Sequence, residues 1–483
     1  MNSRSVFHLI SYLIMFVSLA MGSCSLVSWA YGDGWDVIRQ ILSSAGISFI
    51  LGFGMFYLTR GPVNLSRKDG FAIVTFGWLC VGAAGALPYV LTSAIPSPVD
   101  AIFETISGFT TTGSTILTDI EVLPRGIIFW RSFTQWLGGM GVLLLCVAIL
   151  PFLGVGGMQI YRAEMPGPSK DRLTPRIGNT AKLLYGVYLL LTVVQTLLLM
   201  LAGMNFFDAI NHTFCTVSTG GFSPYNASLG HFQSSWIHSI VIVFMILAGI
   251  NFALHFQFLR GKFHAYSRSS ETRGYLVIIL LAAGLISWNL WTQQSNEAPL
   301  LQLRDAVFQV VSITTTTGFG TSDYDFWPLL SRAVIFVLLF SGGCAGSTAG
   351  GLKVMRSLVV VKEVFRQIKL YRQPQAVIKV RLDRQSVAPN IVSGITAFTL
   401  CYMMLFVFFT LVMCFYLPNL SSAASAAISC ISNVGPGFSE VGPTRNYASI
   451  ADSGKLILAC CMLLGRLELF TILVMFSPGF WKR

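Results

Sequence analysis

The sequence predicts an all-α integral membrane protein whose ten transmembrane helices form four helix–loop–helix repeats in pseudo-fourfold arrangement behind an N-terminal hairpin. Three observations predict it. The chain is 54% hydrophobic and only 11% charged, far from the balance of soluble domains. Apolar runs of the roughly 20 residues needed to cross a bilayer recur along its length. One short pattern returns four times at a spacing of about a hundred residues, as a reused structural unit does.

The ten runs lie at 6–30, 38–59, 71–92, 126–153, 183–203, 235–259, 275–292, 328–370 (broken), 391–416 and 455–476. An even number of crossings puts both termini on one side. Of the 32 Lys and Arg, 24 fall at the termini or in connectors Arg60–Lys68, Arg162–Lys182, Arg260–Arg273 and Lys353–Arg384, all on that side. The positive-inside rule makes it cytoplasmic. Asp33, Asp36, Asp119, Glu121, Asp323 and Asp325 mark the opposite face. The net charge of +12 is therefore a topology signal, and no nucleic-acid partner is expected. The apolar run after Arg4 is too long for a signal-peptide core and reads as a spanning helix. Ten cysteines sit mostly in apolar segments without a CxxC, and six histidines lack ligand spacing, so neither a disulfide framework nor a metal centre is indicated. The histidines read as structural, His212 among them in the second half-helix.

In chain order, residues 1–66 form the hairpin, turning at Tyr31–Gly34. Residues 67–153 are the first pore repeat; 154–182, with Pro166, Pro168 and Pro175, read as a cytoplasmic connector. Residues 183–262 are the second repeat, 263–372 the third with a broken second helix, and 373–483 the fourth. Each repeat carries the pattern of Asp100–Gly113, with position zero at Asp100, Asp208, Asp305 and Ser422. Ala101, Ala209, Ala306 and Ala423 follow; Ser107, Cys215, Ser312 and Ser429 stand at position seven, and Gly113, Gly221, Gly318 and Gly435 at position thirteen. The stretch before each glycine is too short to span a bilayer. A half-helix that enters and returns as an extended loop fits, because irregular backbone at membrane depth must be buried in protein or line water. The four position-zero residues are expected as N-caps, with the three acids also making the outer mouth attractive to cations.

A cation sheds its water in a pore only where oxygens replace it, and backbone carbonyls do so without trapping the ion. Thr111, Thr112 and Gly113, then Gly220 and Gly221, Thr317 and Gly318, and Val434 and Gly435 are the candidate cation-coordinating residues. Thr110, Thr219, Thr316 and Asn433 are candidate supports. The reading is thus four helix–pore-loop–helix repeats around one ion pore, with the helix C-termini aimed at the ion. The run Gly342, Gly343, Cys344, Ala345, Gly346, Ser347, Thr348, Ala349, Gly350 and Gly351 should break its helix, since each Gly costs up to about 1 kcal/mol against Ala. No Gly-Lys-Ser/Thr follows, so a phosphate loop is a poor reading. Arg466, deep in the last span, is costly there and so is expected to act, by bonding carbonyls of this run and holding it under the pore.

These segments, with RAEMPGP at Arg162–Pro168, GGCAGSTAGG at Gly342–Gly351 and LLGRLE at Leu463–Glu468, resemble the membrane-subunit family of bacterial Trk potassium-uptake systems, TrkH and TrkG, with KtrB and fungal and plant relatives. The resemblance covers essentially the whole chain. It implies potassium uptake through one selective, gated pore, a glycine-rich gate, a homodimer in the bacterial inner membrane, and a cytosolic nucleotide-binding partner like TrkA. Serine at the first filter glycine accompanies sodium passage in plant relatives, and Gly113 therefore implies potassium. The chain departs from the family at Thr219-Gly220-Gly221, where an aliphatic residue often precedes the glycine pair, and at Ala349. No cofactor is expected besides K⁺ itself. Lys362–Arg384 is a candidate docking stretch for the partner, or equally an ordinary basic connector. An H⁺- or Na⁺-coupled symporter on the same scaffold is the alternative, a carrier of another substrate a more distant one. An enzyme would need converging acids, His or Cys, and almost none are present.

Overall fold

The computed structural model describes residues 2–61, 65–141, 177–293, 298–383 and 385–481. Helices α1 (Ser3–Tyr31) and α2 (Trp35–Leu58) form the N-terminal hairpin. Its turn ends α1 at Gly32, whose φ of 73° needs no Cβ. The Asp33 carboxylate in this turn accepts the backbone N–H groups of Arg125 and Gly126 at 2.8 and 2.7 Å, capping the helix that starts there. α1 also packs along α3 (Arg67–Leu91) and α5 (Arg125–Gly139), so the hairpin is fastened to the first repeat.

Each repeat runs long helix, short helix, chain return, second helix. The first holds α3, α4 (Pro98–Phe109) and α5; the second holds α6 (Ile177–Leu201), α7 (Phe206–Val217), α8 (Ser235–Ala248) and α9 (Phe252–Leu259). The third holds α10 (Ser270–Gln293), α11 (Pro299–Thr314), α12 (Leu329–Leu338) and α13 (Val354–Arg372). A two-residue hairpin ladder, Arg381–Leu382 against Gln385–Ser386, then leads to α14 (Pro389–Met413), α15 (Leu420–Ser432), α16 (Asp452–Arg466) and α17 (Leu469–Leu473). Six described helices are long and apolar enough to cross a membrane, or eight if each of two bent pairs counts once.

The bends correct the expected spans. Runs 235–259 and 455–476 are not straight helices: α8 and α9 meet at 101°, and α16 meets Leu469–Phe476 at 111°. At the first bend Gly249 O accepts the Cys344 N–H at 2.8 Å and Asn251 caps α9 through the Ala253 N–H. At the second, Glu468 takes φ 56°, which ends α-helical bonding. The third repeat breaks over Ser341–Gly351 as expected, between α12 and α13. In the first repeat α5 ends at Gly139; the rest of run 126–153 beyond residue 141, and the connector and Arg162–Pro168 motif up to residue 176, lie outside the described residues.

The short helices start a turn earlier than the sequence suggested. Ser97 and Asn205 are the caps of α4 and α7, accepting the N–H of Asp100 at 3.4 Å and Asp208 at 2.8 Å. Asp100, Asp208 and Ser422 are therefore third residues of their helices, and Asp305 lies inside α11, which Pro299 opens. Ser, Asn and Pro suit a helix start as well as Asp does; Ser97 and Asn205 sit three residues upstream of the aspartates, and Pro299 six.

Packing closes the repeats into a ring. α5 of the first repeat packs on α7 of the second, α8 of the second on α11 of the third, and α16 of the fourth on α4 of the first. Small side chains permit the close approach: α15 buries Ala423, Ala426, Ala427, Ser425 and Ser429.

Candidate functional site

The four short helices end in one conformation. The residue at position eleven, Thr111, Thr219, Thr316 or Asn433, is left-handed in every repeat, with φ between 54° and 58°. Position twelve then donates its N–H back to the carbonyl at position seven: Thr112 to Ser107, Gly220 to Cys215, Thr317 to Ser312, Val434 to Ser429, at 2.8 to 2.9 Å. This closure normally takes glycine at its left-handed residue, whereas here three threonines and an asparagine bear the cost of about 1–3 kcal/mol each. The chain then turns outward through Gly113, Gly221, Gly318 and Gly435, at φ of 83°, 78°, 83° and 104°.

Those glycines interlock head to tail. A Cβ on Gly113 would collide with the carbonyl oxygen of Gly220, one on Gly221 with that of Thr317, one on Gly318 with that of Val434, and one on Gly435 with that of Thr112. Each glycine thus faces the position-twelve carbonyl of the next repeat, and the fourth returns to the first. The surrounding threonines are buried to within 1%. Among the described residues, no protein donor reaches the carbonyls of Thr111, Thr112, Thr219, Thr316, Thr317, Asn433 or Val434. Buried carbonyls seldom go without a donor. On the outer side the ring opens into a cavity of about 120 Å³ lined by all four glycines, Thr115, Tyr225 and Asn446.

The glycine-rich run lies against the opposite side, at the helix C-termini. Gly350 N–H donates to Thr316 Oγ1 at 2.7 Å, and Thr348 Oγ1 donates to the carbonyls of Val217 and Ala248 at 3.1 and 3.2 Å. Gly350 also abuts Ser432 and Asn433, so a side chain there has no room. Arg466 donates to Thr348 O at 2.9 Å and to Gly138 O and Gly139 O at 2.5 and 2.7 Å. One guanidinium thus ties the run to the end of α5. The carbonyls it takes are those a broken helix leaves open.

The structure gathers all the residues named from the repeat, and adds others that the sequence reading missed. Glu104 and Arg131 form a fully buried ion pair at 2.6 Å. Glu104 also accepts Thr115 Oγ1 and Ile116 N–H, and Arg131 reaches Ser223 O at 2.9 Å. Gln135, one turn further along α5, holds Gly220 and Phe222. Glu271 accepts the N–H groups of Ala345 and Met355 at 2.7 and 3.1 Å, pinning the interior of the glycine-rich run and the first turn of α13. Lys353 donates to Ala349 O, and Arg356 pairs with Glu468. Each is a polar residue within or at the edge of an apolar run, the signal that drew attention to Arg466.

The acids expected to attract cations at the mouth are largely engaged. Asp100 pairs with Lys455 at 2.6 Å, Asp305 with Arg304 at 3.0 Å, and Asp208 accepts from Tyr225 and Asn205 at 2.8 Å. No group of three or more metal-ligating side chains occurs among the described residues.

The TrkH family model, described as a cation transport protein, matches residues 38–483. The Trk system potassium uptake protein TrkH of Halomonas elongata is 41% identical, over the full length of both chains. The protein of the same name from Escherichia coli K12 is 38% identical, again over both full lengths, and the Trk system potassium uptake protein TrkG of that organism is 33% identical over 99% of each. The crystal structure of the potassium transporter TrkH from Vibrio parahaemolyticus superposes with a TM-score of 0.89 at 35% identity, covering 100% of each chain.

Proposed function

This chain belongs to the TrkH family of cation transport proteins, and from that premise we propose that it carries potassium into the cell through the axis of the four-repeat ring. The observation that carries the reading is the set of carbonyls at positions eleven and twelve, contributed by all four repeats: among the described residues seven of the eight are without a protein donor, and the eighth, Gly220 O, is held by Gln135. A dehydrated monovalent cation is the partner they lack. It takes several neutral oxygens at once and leaves again because no full charge holds it. The four helices that end at this level add the negative ends of their dipoles. Thr111, Thr112, Gly113, Gly220, Gly221, Thr317, Gly318, Val434 and Gly435 then form the filter, with Thr110, Thr219, Thr316 and Asn433 behind it.

In this mechanism the run Gly342–Gly351 is the gate and Arg466 its catch. Half of the run is glycine and its other side chains are small, so it can shift by backbone rotation, and its hydrogen bonds to Thr316, Val217 and Arg466 hold it across the exit. A few bonds of about 0.5–1.5 kcal/mol net are within reach of a regulator that prefers the open form. The cytoplasmic side follows from the positive connectors, with the inner membrane as location and both termini inside. α13 runs from the gate into the basic stretch Lys362–Arg384, and exposes Val361, Val364, Phe365 and Ile368. That face fits either a second copy of the chain or a TrkA-like cytosolic subunit.

The test is flux in liposomes bearing the purified protein, with K⁺, Rb⁺, Na⁺ and Li⁺ compared across an imposed gradient. Selective K⁺ and Rb⁺ flux, with weakened discrimination in Gly113→Ser, supports the reading. Equal flux of all four ions, unaffected by the substitution, refutes it.

A further inference from the structure

The four repeats share a backbone but not the side chain at position twelve. In the first and third, Thr112 and Thr317 each stand 2.7 Å, hydroxyl to hydroxyl, from the threonine two residues before, Thr110 or Thr315. In the second repeat that place is taken by Gly220, which has no side chain to brace its own turn. The gap is filled from outside. A Cβ on Gly220 would fall on the amide of Gln135, meeting its carbon, oxygen and nitrogen. Gln135 Nε2 donates to Gly220 O at 2.6 Å, and Gln135 Oε1 accepts the Phe222 N–H at 3.0 Å. The amide therefore spans Gly221, gripping the backbone on both sides of it as a neighbouring strand would. Gln135 is wholly buried.

We propose that Gln135 is a positioning residue for ion discrimination, its side-chain amide doing for the second wall of the ring what Thr112 and Thr317 do for the first and third. This deepens the proposed filter and rests on that reading. Gly220 O is one of the four position-twelve carbonyls, and a donor fixed on it sets both its direction and its residual negative charge. Loss of the amide frees that carbonyl to rotate, and a wall that can rotate fits a smaller ion as readily as a larger one.

The experiment is the K⁺/Na⁺ permeability ratio in liposomes, from reversal potentials, for the parent, Gln135→Ala, Gln135→Glu and the double variant Gln135→Ala/Gly220→Thr. The expected result is a ratio about tenfold lower in Gln135→Ala, the size of one buried carbonyl left unpaired. Gln135→Glu keeps the acceptor and loses the donor, and should fall nearly as far. The double variant places a threonine where the first and third repeats have one, in the space the truncation opens, and should recover most of the ratio. A ratio unchanged in Gln135→Ala overturns the proposal. So does loss of flux for both ions in every variant, the double included, which marks Gln135 as a packing residue. A parent that does not discriminate the two ions overturns the filter reading, and this proposal with it.

Discussion

A side chain at any of the four ring glycines has no free volume to enter, because the space belongs to a carbonyl of the next repeat. Gly221→Ala adds the strain of a left-handed backbone, about 1–2 kcal/mol, to that collision. Potassium flux per protein in liposomes should fall at least tenfold, while Gly284→Ala, in open space on α10, should leave it unchanged. A second residue-scale prediction concerns the Glu104–Arg131 pair, 2% exposed or less. Removing one partner strands a buried charge, so Glu104→Gln should destabilise by about 3–5 kcal/mol, read as a fall in the unfolding temperature of the detergent-purified protein. The glycines were legible from sequence because they recur at one offset from a recognisable start. Glu104 and Arg131 were not, since the two stand 27 residues apart on different helices and only the packed ring brings them together. The helix caps were misplaced for a local reason: aspartate at the third residue and aspartate at the cap both suit a helix start.

Among the elements, the glycine-rich run and the end of α16 act on one another through Arg466. Arg466→Ala releases Thr348 O, Gly138 O and Gly139 O together. Resting potassium flux without any regulator should rise at least about tenfold, the low-end value of one net hydrogen bond to a charged donor. Arg466→Lys, a point charge without the planar fork, should lie between. Unchanged flux in Arg466→Ala would show that the run does not limit conduction. The break in the third repeat could be read from its five glycines, since a helix there has no local support. The bends in the second and fourth repeats could not. Gly249 is a lone glycine, tolerable within a helix, and it bends because the Cys344 N–H claims its carbonyl. At Glu468 the chain turns where its carboxylate pairs with Arg356, a residue of another repeat. Both bends are written in tertiary contacts.

For the molecule as a whole, the ring must close between its last repeat and its first. Lys455 of α16 pairs with Asp100 of α4 at 2.6 Å, with the lysine 5% exposed and the aspartate 22%. Lys455→Met and Asp100→Asn should each lower stability, and together by less than their sum, with a coupling of about 1 kcal/mol in a double-mutant cycle on thermal unfolding. Strict additivity would mean that packing alone closes the ring. The class of fold and its repeats were legible because hydropathy and spacing are properties of the unfolded string as well. The order of repeats around the axis was not, because it is decided by contacts between helices of different repeats, such as α5 on α7 and α16 on α4. The interlocked glycines carry a consequence for heredity. In an assembly of four identical chains, one codon change is copied to every corner of the ring. Here the corners belong to a single polypeptide, so a codon change alters one of them and leaves three as they were. Thr112, Gly220, Thr317 and Val434, unlike occupants of one position, use that freedom.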